Sequence, residues 1–301
     1  IDSMKFEDKL MGLAFHSHPG QCGFFYNQDL FAKAGVAAPN DSWKLDDLVN
    51  AAKKLTVQQG GKTVQYGWMS LYSWDPYVIW ARVFGSDLIS ADGKKAQVDT
   101  PAVRSMLQWL YDNLYTWKVE PLSGQVEGSQ QDMFVTQRAA MFQAGSSVVA
   151  SMYKAVDNKF KWTVALLPIG PSGARGAEAI MHLEGISSKT KYRSQSWEFV
   201  KSLCGHEAGV EKVLDGAGAP GGRPDCWTDP RIIKTTPEYA IVAKAFVFAQ
   251  PDHPPANFRG LEVSSVGEQN LAAIWTCKAT VAQGAKTTNN AMQQVLDKPP
   301  E

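Results

Sequence analysis

Apolar positions along the chain alternate between short runs and stripes with helical spacing. The apolar run at 24–26 is rich in aromatic residues and too short for a helix, so it predicts a buried strand. Asn27 follows as an expected N-cap, and Leu30 and Phe31 supply the apolar face of a short helix that Gly35 can end. A strand that leads directly into a capped helix is therefore expected here.

Two longer stretches repeat the helical pattern, and further short apolar runs predict strands. Residues 45–55 carry an apolar stripe, and Thr100 followed by Pro101 predicts the start of a second long helix. Strands are expected at 10–15 and 161–168.

Length and charge narrow the function classes. A chain of 301 residues is long enough for two lobes, each with its own core. Thirty basic and thirty acidic side chains cancel, which argues against a nucleic-acid-binding surface and against a polybasic membrane surface. We therefore expect no nucleic-acid partner.

The sequence motifs around the first predicted helix resemble those of a known family. YNQDLF stands at 26–31, AG at 34–35, Trp43 precedes the next helix, and AAKKLT stands at 51–56. This order resembles the family-1 extracellular solute-binding proteins of ABC importers, the relatives of the maltose- and glycerol-phosphate-binding proteins. Gln28 departs from the lysine usual in the family.

Later segments extend the resemblance over most of the chain from residue 10 onward. The matching segments are FVTQRAAMFQAG at 134–145, IMHLEGISS at 180–188, the helix at 196–203 and the loop at 216–232. The resemblance implies the α/β fold class and a two-lobe periplasmic-binding-protein fold of type II. Three crossing segments then join the lobes, and the ligand lies between them.

The resemblance also implies a division of the chain. Residues 1–14 and 186–232 are assigned to the N-terminal lobe, and residues 15–185 and 233–301 to the C-terminal lobe. Family members carry several β-α units before the segment that matches GLAF here. We therefore expect the N-terminal lobe to be partial.

The segment SWDPYVIW at 73–80 holds the first candidate ligand residues. Sugars need polar partners for their hydroxyl groups and aromatic rings for their C–H faces. Pro76 is expected to keep this segment irregular, so that Trp74, Asp75 and Tyr77 project from a loop. The resemblance places Asp75 and Tyr77 in the cleft. The alternative is that these aromatic residues pack inside a lobe.

Further candidates lie at positions that the resemblance marks. Gly145 and Ser147 fall where relatives carry glycine-x-tryptophan, with Ser147 at the position of the sugar-stacking tryptophan. A serine hydrogen-bonds but cannot stack, which favours a small or polar ligand. His182 stands at an aromatic position and Glu184 on the same side of an extended chain. Arg223 donates paired hydrogen bonds to an anion or to vicinal hydroxyls. The alternative for Glu184 is an ion pair with a neighbouring base.

Two histidines near the first crossing segment raise the question of a metal. His16 and His18 share one face of an extended segment, with Cys22 close by. A structural zinc site needs four protein ligands at known spacings, and the sequence contains no second half of such a motif. We therefore expect no metal and no cofactor, and place His16 in the ligand cleft instead.

The four cysteines permit three complete pairings. Since the family works outside the cytoplasm, where disulfides persist, Cys204 and Cys226 in the same lobe are the expected pair. The alternative is four buried free thiols.

The resemblance implies a monomeric protein that captures a sugar or sugar derivative, closes around it and delivers it to an ABC permease. Its expected location is periplasmic or extracellular, with a lipid anchor as one form. The alternative from another class is a glycosidase that uses Asp75 and Glu184 as paired carboxylates. The sequence contains no HExxH or GxSxG motif, so the enzyme alternative has only its acids as support.

Overall fold

The computed structural model of the chain describes residues 4–6 and 8–300. Residues 1–3 and 7, which were assigned to the N-terminal lobe, lie outside the described residues. The strands are β1 Lys5–Phe6, β2 Lys9–Leu10, β3 Leu13–His18, β4 Gly23–Asn27, β5 Val57–Gln59, β6 Lys62–Gln65, β7 Met141–Ala144, β8 Trp162–Leu166 and β9 Ile180–Glu184. The α-helices are α1 Gln28–Lys33, α2 Leu45–Leu55, α3 Trp74–Val83, α4 Pro101–Tyr115, α5 Gln130–Val135, α6 Val149–Val156, α7 Arg193–Leu203, α8 His206–Leu214, α9 Pro230–Thr235, α10 Glu238–Ala243, α11 Gly260–Trp275 and α12 Val281–Leu296. The α/β class is confirmed.

The strand β4 is the centre of a three-stranded antiparallel sheet in the order β7-β4-β8. Every residue of β4 is buried, as the aromatic run predicts. Phe25 lies opposite Phe142 on one side and Val164 on the other, and the two phenylalanine rings stack with their centroids 5.0 Å apart. Both faces of this strand therefore contribute to the core.

Local capping signals define the helix that follows. The backbone N–H of Leu30 donates to Asn27 Oδ1 at 3.0 Å, which satisfies one of the free donors at the start of α1. Gly35, with φ of +62°, takes the left-handed conformation just after the helix. Thr100 caps α4 in the same way, with Pro101 in its first turn. These predictions are confirmed.

The three segments that resemble lobe crossings lie side by side. Strands β3 and β9 pair in antiparallel register, with His16 opposite His182. His16 also forms an isolated bridge with Gly221, and the N–H of Gly222 donates to the Phe15 carbonyl at 3.1 Å. Positions distant in sequence are thus brought to one place.

Two large cores lie on either side of the central sheet. The first is built from α2, α3, α4, α11 and α12 around Phe24 and lies wholly within the residues assigned to the C-terminal lobe. The second joins Phe142 and Val164 of the sheet to Val210 and Trp227, which fall in the other assignment. The lobe boundaries remain a prediction.

The prediction of an irregular loop at 73–80 was wrong. These residues begin α3, and Pro76 lies in its first turn, where a missing N–H removes no intrahelical bond. Tyr77 is 1% exposed, and its hydroxyl accepts a hydrogen bond from Trp275 Nε1 at 2.7 Å.

The predicted pairing of Cys204 with Cys226 was also wrong, since all four cysteines are free thiols in the described chain. The Cys204 thiol contacts the carbonyl of Leu13 at 3.6 Å, whereas the Cys226 thiol contacts that of His206 at 3.5 Å. The two sulfurs therefore face different backbone segments. The alternative of buried thiols holds for three of the four, because Cys277 is exposed.

Candidate functional site

Asp75 lies in the first turn of α3 and belongs to a group of carboxyl side chains. Burial raises its pKa, and the charges of Asp252 and Glu268 raise it further. Glu268 comes from α11 and accepts a hydrogen bond from the backbone N–H of Trp74, the first residue of α3. We call the four residues Asp75, Glu178, Asp252 and Glu268 the acidic site.

Glu178 is the buried member of the acidic site. It is 2% exposed, and burial, reinforced by Asp75 and Asp252, raises its pKa to about 9. Near neutral pH its carboxyl group is therefore protonated. Its Oε2 atom is buried and has no hydrogen-bond partner among the described residues. Such an atom is a free polar position beneath the site.

Arg82 holds the backbone segments that carry Glu178 and Asp252. Its guanidinium donates to the carbonyls of Ala177 at 2.9 Å, Gln250 at 2.8 Å and Pro251 at 2.9 Å. Arg82 is 7% exposed, so these bonds lie in the interior. The planar guanidinium group of Arg82 thereby fixes two separate segments against α3.

The loop at 19–21 connects the acidic site to Gly145. A Cβ atom at Gly20 would lie 3.2 Å from Glu178 Oε2, and one at Gly145 would lie 3.2 Å from the Gly20 carbonyl. Ser147 beyond it is exposed. Gly145 and Glu178, the acid whose pKa the charge of Asp75 helps to raise, therefore both lie against Gly20.

Buried polar atoms accompany this loop. Gln21 Oε1 and Ser146 Oγ are buried, and within residues 4–6 and 8–300 neither finds a hydrogen-bond partner. Gln143 links the loop to the segment before α3: its amide donates to the Gln21 carbonyl at 3.0 Å and its Oε1 accepts from the N–H of Leu71. The region thus has unused hydrogen-bonding capacity, which suits a polar ligand.

A cavity with aromatic walls lies beside Leu71 and is lined by the two neighbouring residues, Ser70 and Tyr72. It has a volume of about 350 Å³, and Tyr72 and Trp275 line it with ring centroids 5.1 Å apart. Glu120 lines it too; burial raises the pKa of this carboxyl to about 7, and it accepts hydrogen bonds from Ser70 and from the Tyr72 hydroxyl. Sequence reasoning missed this cavity because its walls come from three distant segments.

The remaining predicted ligand residues lie elsewhere. Tyr77 is packed beneath Trp275, and Glu184 lines a separate cavity with Met11 and Trp197. Arg223 is exposed and forms a paired ion contact with Asp225, whose oxygens lie 2.6 and 3.0 Å from its guanidinium nitrogens. Tyr77 nevertheless adjoins the acidic site, since burial raises the pKa of its hydroxyl group and the charge of Glu268 raises it further.

His16 and His182 form a cluster with His18, in which each pair of ring centroids lies 5.1–5.5 Å apart. The Nδ1 atom of His18 accepts a hydrogen bond from the N–H of Gly20 at 3.2 Å. This histidine cluster therefore adjoins the loop at 19–21.

The family model of bacterial extracellular solute-binding proteins matches residues 13–210, about two thirds of the chain. The chain belongs to this family. Among curated proteins, putative binding proteins of Brucella abortus (strain 2308) and Brucella suis biovar 1 are each 23% identical over 186 residues. The match covers 60% of this chain and 43% of each relative, so the chain spans less than half of their length.

Solved structures of solute-binding proteins share the fold at low identity. An ABC substrate-binding protein from Listeria monocytogenes in complex with cycloalternan aligns with a TM-score of 0.85 at 19% identity, covering 98% of this chain and 74% of that one. Maltose-bound MalE3 of T. maritima gives 0.82 at 21% identity, with 98% and 75% covered.

A mannitol-bound solute-binding protein of Agrobacterium vitis S4 gives a TM-score of 0.79 at 19% identity, covering 98% of this chain and 75% of that one. Together these likenesses confirm the two-lobe fold of the family. Among the residues described, no helix combines the length and apolar character needed to cross a membrane.

Proposed function

We propose that this solute-binding protein is the extracytoplasmic capture component of an ABC importer for a sugar or polyol. The observation that carries the proposal is family membership over residues 13–210. Solved proteins of the same fold carry cycloalternan, maltose and mannitol, all of them polyhydroxylated. Transport of a related solute is the function that fits both facts.

The acidic site is the proposed ligand position in this chain. Carboxylate oxygens accept hydrogen bonds from hydroxyl groups, and Asp75 and Glu268 supply them at the surface of α3 and α11. Trp74 is half-buried beside them, and Gly145 and Ser147 lie across the loop at 19–21. The unpartnered oxygens of Gln21, Ser146 and Glu178 add capacity for further hydroxyls once that loop moves.

Delivery to a permease follows from this role. The lobes, with the boundaries given above, close on the ligand by a hinge at the paired strands β3 and β9 and the bridged segment at Gly221. The closed monomer then docks on the transmembrane subunits. The proposed location is periplasmic or extracellular, either free or held by a lipid anchor.

A ligand panel tests the proposal. The natural gene product that contains this chain is mixed with mannitol, ribitol, maltose and a longer maltodextrin, and its melting temperature is measured with each. We expect at least one polyhydroxylated compound to raise the melting temperature in proportion to the logarithm of its concentration. Chromatography of the mixture afterwards should recover that compound unchanged.

Two results would contradict the proposal. No shift with any sugar or polyol would remove the ligand class. Conversion of an oligosaccharide to shorter products would favour the glycosidase alternative, in which Asp75 and Glu184 act together. In the structure Glu184 lines a different cavity, which gives that alternative no support.

A further inference from the structure

Three histidine side chains converge between two paired strands. His16 and His18 extend from the same face of β3, and His182 extends from β9 directly opposite His16. One nitrogen from each ring lies within 4.8 Å of the others. Histidine is the commonest metal ligand in proteins, and a trio at this spacing supplies the three protein ligands that an open metal site needs.

The backbone orients the first of the three ligands. His16 Nδ1 lies 2.9 Å from the carbonyl oxygen of Pro220, an acceptor only. Nδ1 therefore carries a proton and donates it to that carbonyl, which makes Nε2 the nitrogen available to an ion. A histidine ligand held by a backbone carbonyl at its other nitrogen is the usual arrangement in metal sites.

The spacing of the other two ligands fits one ion. His18 Nε2 and His182 Nε2 are 3.3 Å apart. Two nitrogens bound to tetrahedral zinc, each about 2.05 Å from the ion, are separated by roughly 3.3 Å. The two rings thus already have the distance that a shared metal ion requires.

A hydrogen bond between the two Nε2 atoms joins these rings. Because the N–H of Gly20 donates to His18 Nδ1 at 3.2 Å, the proton of the neutral His18 ring is on Nε2 and faces His182. An ion between the rings takes the place of that proton. The proton moves to Nδ1 of His18, and the bond from Gly20 breaks.

We propose that His16, His18 and His182 bind one divalent transition-metal ion of the zinc class, with its remaining position open to water or another small ligand. The ion links β3 to β9, the two strands that resemble the first and second crossings. The positive charge of Lys212, which lies 4.6 Å from the Phe15 ring, opposes the ion.

Zinc titration of the chelator-treated natural gene product tests this site. Calorimetry should show one Zn²⁺ bound per chain, and His18→Gln and His182→Gln should each weaken binding more than about tenfold, since each removes one of three protein ligands. His206→Gln and His253→Gln are matched controls, because they change the remaining two of the five histidines. Lys212→Gln should tighten binding.

Other outcomes would overturn the proposal. They are equal zinc affinity in wild type and both ligand variants, or loss of binding in His206→Gln, whose ring lies in a second group with Asp225 and Cys226. Should a ligand variant fail to fold, the visible spectrum of wild-type protein with Co²⁺ decides. A four-coordinate spectrum supports the site, and the spectrum of the hydrated ion contradicts it.

Discussion

A protonated carboxyl group beneath a charged surface gives the acidic site its character. Glu178 is neutral near pH 7 because it is buried beside Asp75 and Asp252. A neutral carboxylic acid donates one hydrogen bond and accepts others, and the Asp75 carboxyl group above it adds further acceptor oxygens. The two residues therefore offer complementary groups to hydroxyls, which are donors and acceptors at once.

The raised pKa of Glu178 makes stability depend on pH. Its carboxyl pKa rises from 4.5 in the unfolded chain to about 9 in the folded protein. Between these values the folded state holds a proton that the unfolded state releases, so the free energy of unfolding falls as pH rises through that window. Glu178→Gln keeps the shape and removes the ionisation.

Between pH 5 and pH 9, we expect the free energy of unfolding to fall less in Glu178→Gln than in wild type. The difference between the two falls should be at least about 1.4 kcal/mol, the equivalent of one pKa unit. Urea unfolding at both pH values measures this difference. Glu127→Gln is the control, since Glu127 is exposed and its side chain pairs with Arg138 at the surface. If the free energy of unfolding varied with pH in the same way in all three proteins, Glu178 would be ionised in the folded state, and the prediction would be contradicted.

At the scale of helices and strands, α3 and α11 position the site by close packing. Gly267 of α11 faces Trp74, and a Cβ atom there would lie 2.6 Å from Trp74 Cζ3. Glu268 is the next residue, and it caps the N-terminus of α3. Because Gly267 has no side chain, α11 can pack closely against Trp74, and this packing places the Glu268 carboxylate at the start of α3.

Gly267→Ala should therefore destabilise the protein although alanine favours helices. Overpacking against the Trp74 ring costs about 1–3 kcal/mol, which exceeds the gain of about 1 kcal/mol from helix propensity. Gly260→Ala in the same helix is the matched control, since its Cβ would approach nothing closer than Pro255 Cδ at 3.8 Å. Equal melting temperatures for the two variants would contradict the packing account.

Helix ends and the buried strand were predictable because their signals are local. Asn27 and Thr100 act through atoms three residues away, and the aromatic run of β4 is buried on both faces. The start of α3 was misread because Pro76 is compatible with an irregular loop and equally with the first helical turn. Sequence spacing does not separate these two cases.

On the scale of the whole molecule, the site depends on contacts between distant segments. Asp75, Glu178, Asp252 and Glu268 come from four separate parts of the chain, and only Asp75 stood in a recognisable motif. The Tyr72–Trp275 cavity likewise joins residues from opposite ends of the C-terminal lobe assignment. No periodicity in a single sequence encodes such pairs, so the family resemblance pointed to Asp75 but to none of these three partners.

Calorimetric titration of the best ligand from the panel tests the central claim that the acidic site holds the solute. We predict that Asp75→Asn weakens binding at least tenfold, about 1.4 kcal/mol, because an amide NH₂ group replaces one oxygen of the carboxyl group. Asp46→Asn, which changes an exposed acid in the first turn of α2, should bind as wild type does. Equal affinity in all three proteins would contradict the account and direct attention to the Tyr72–Trp275 cavity.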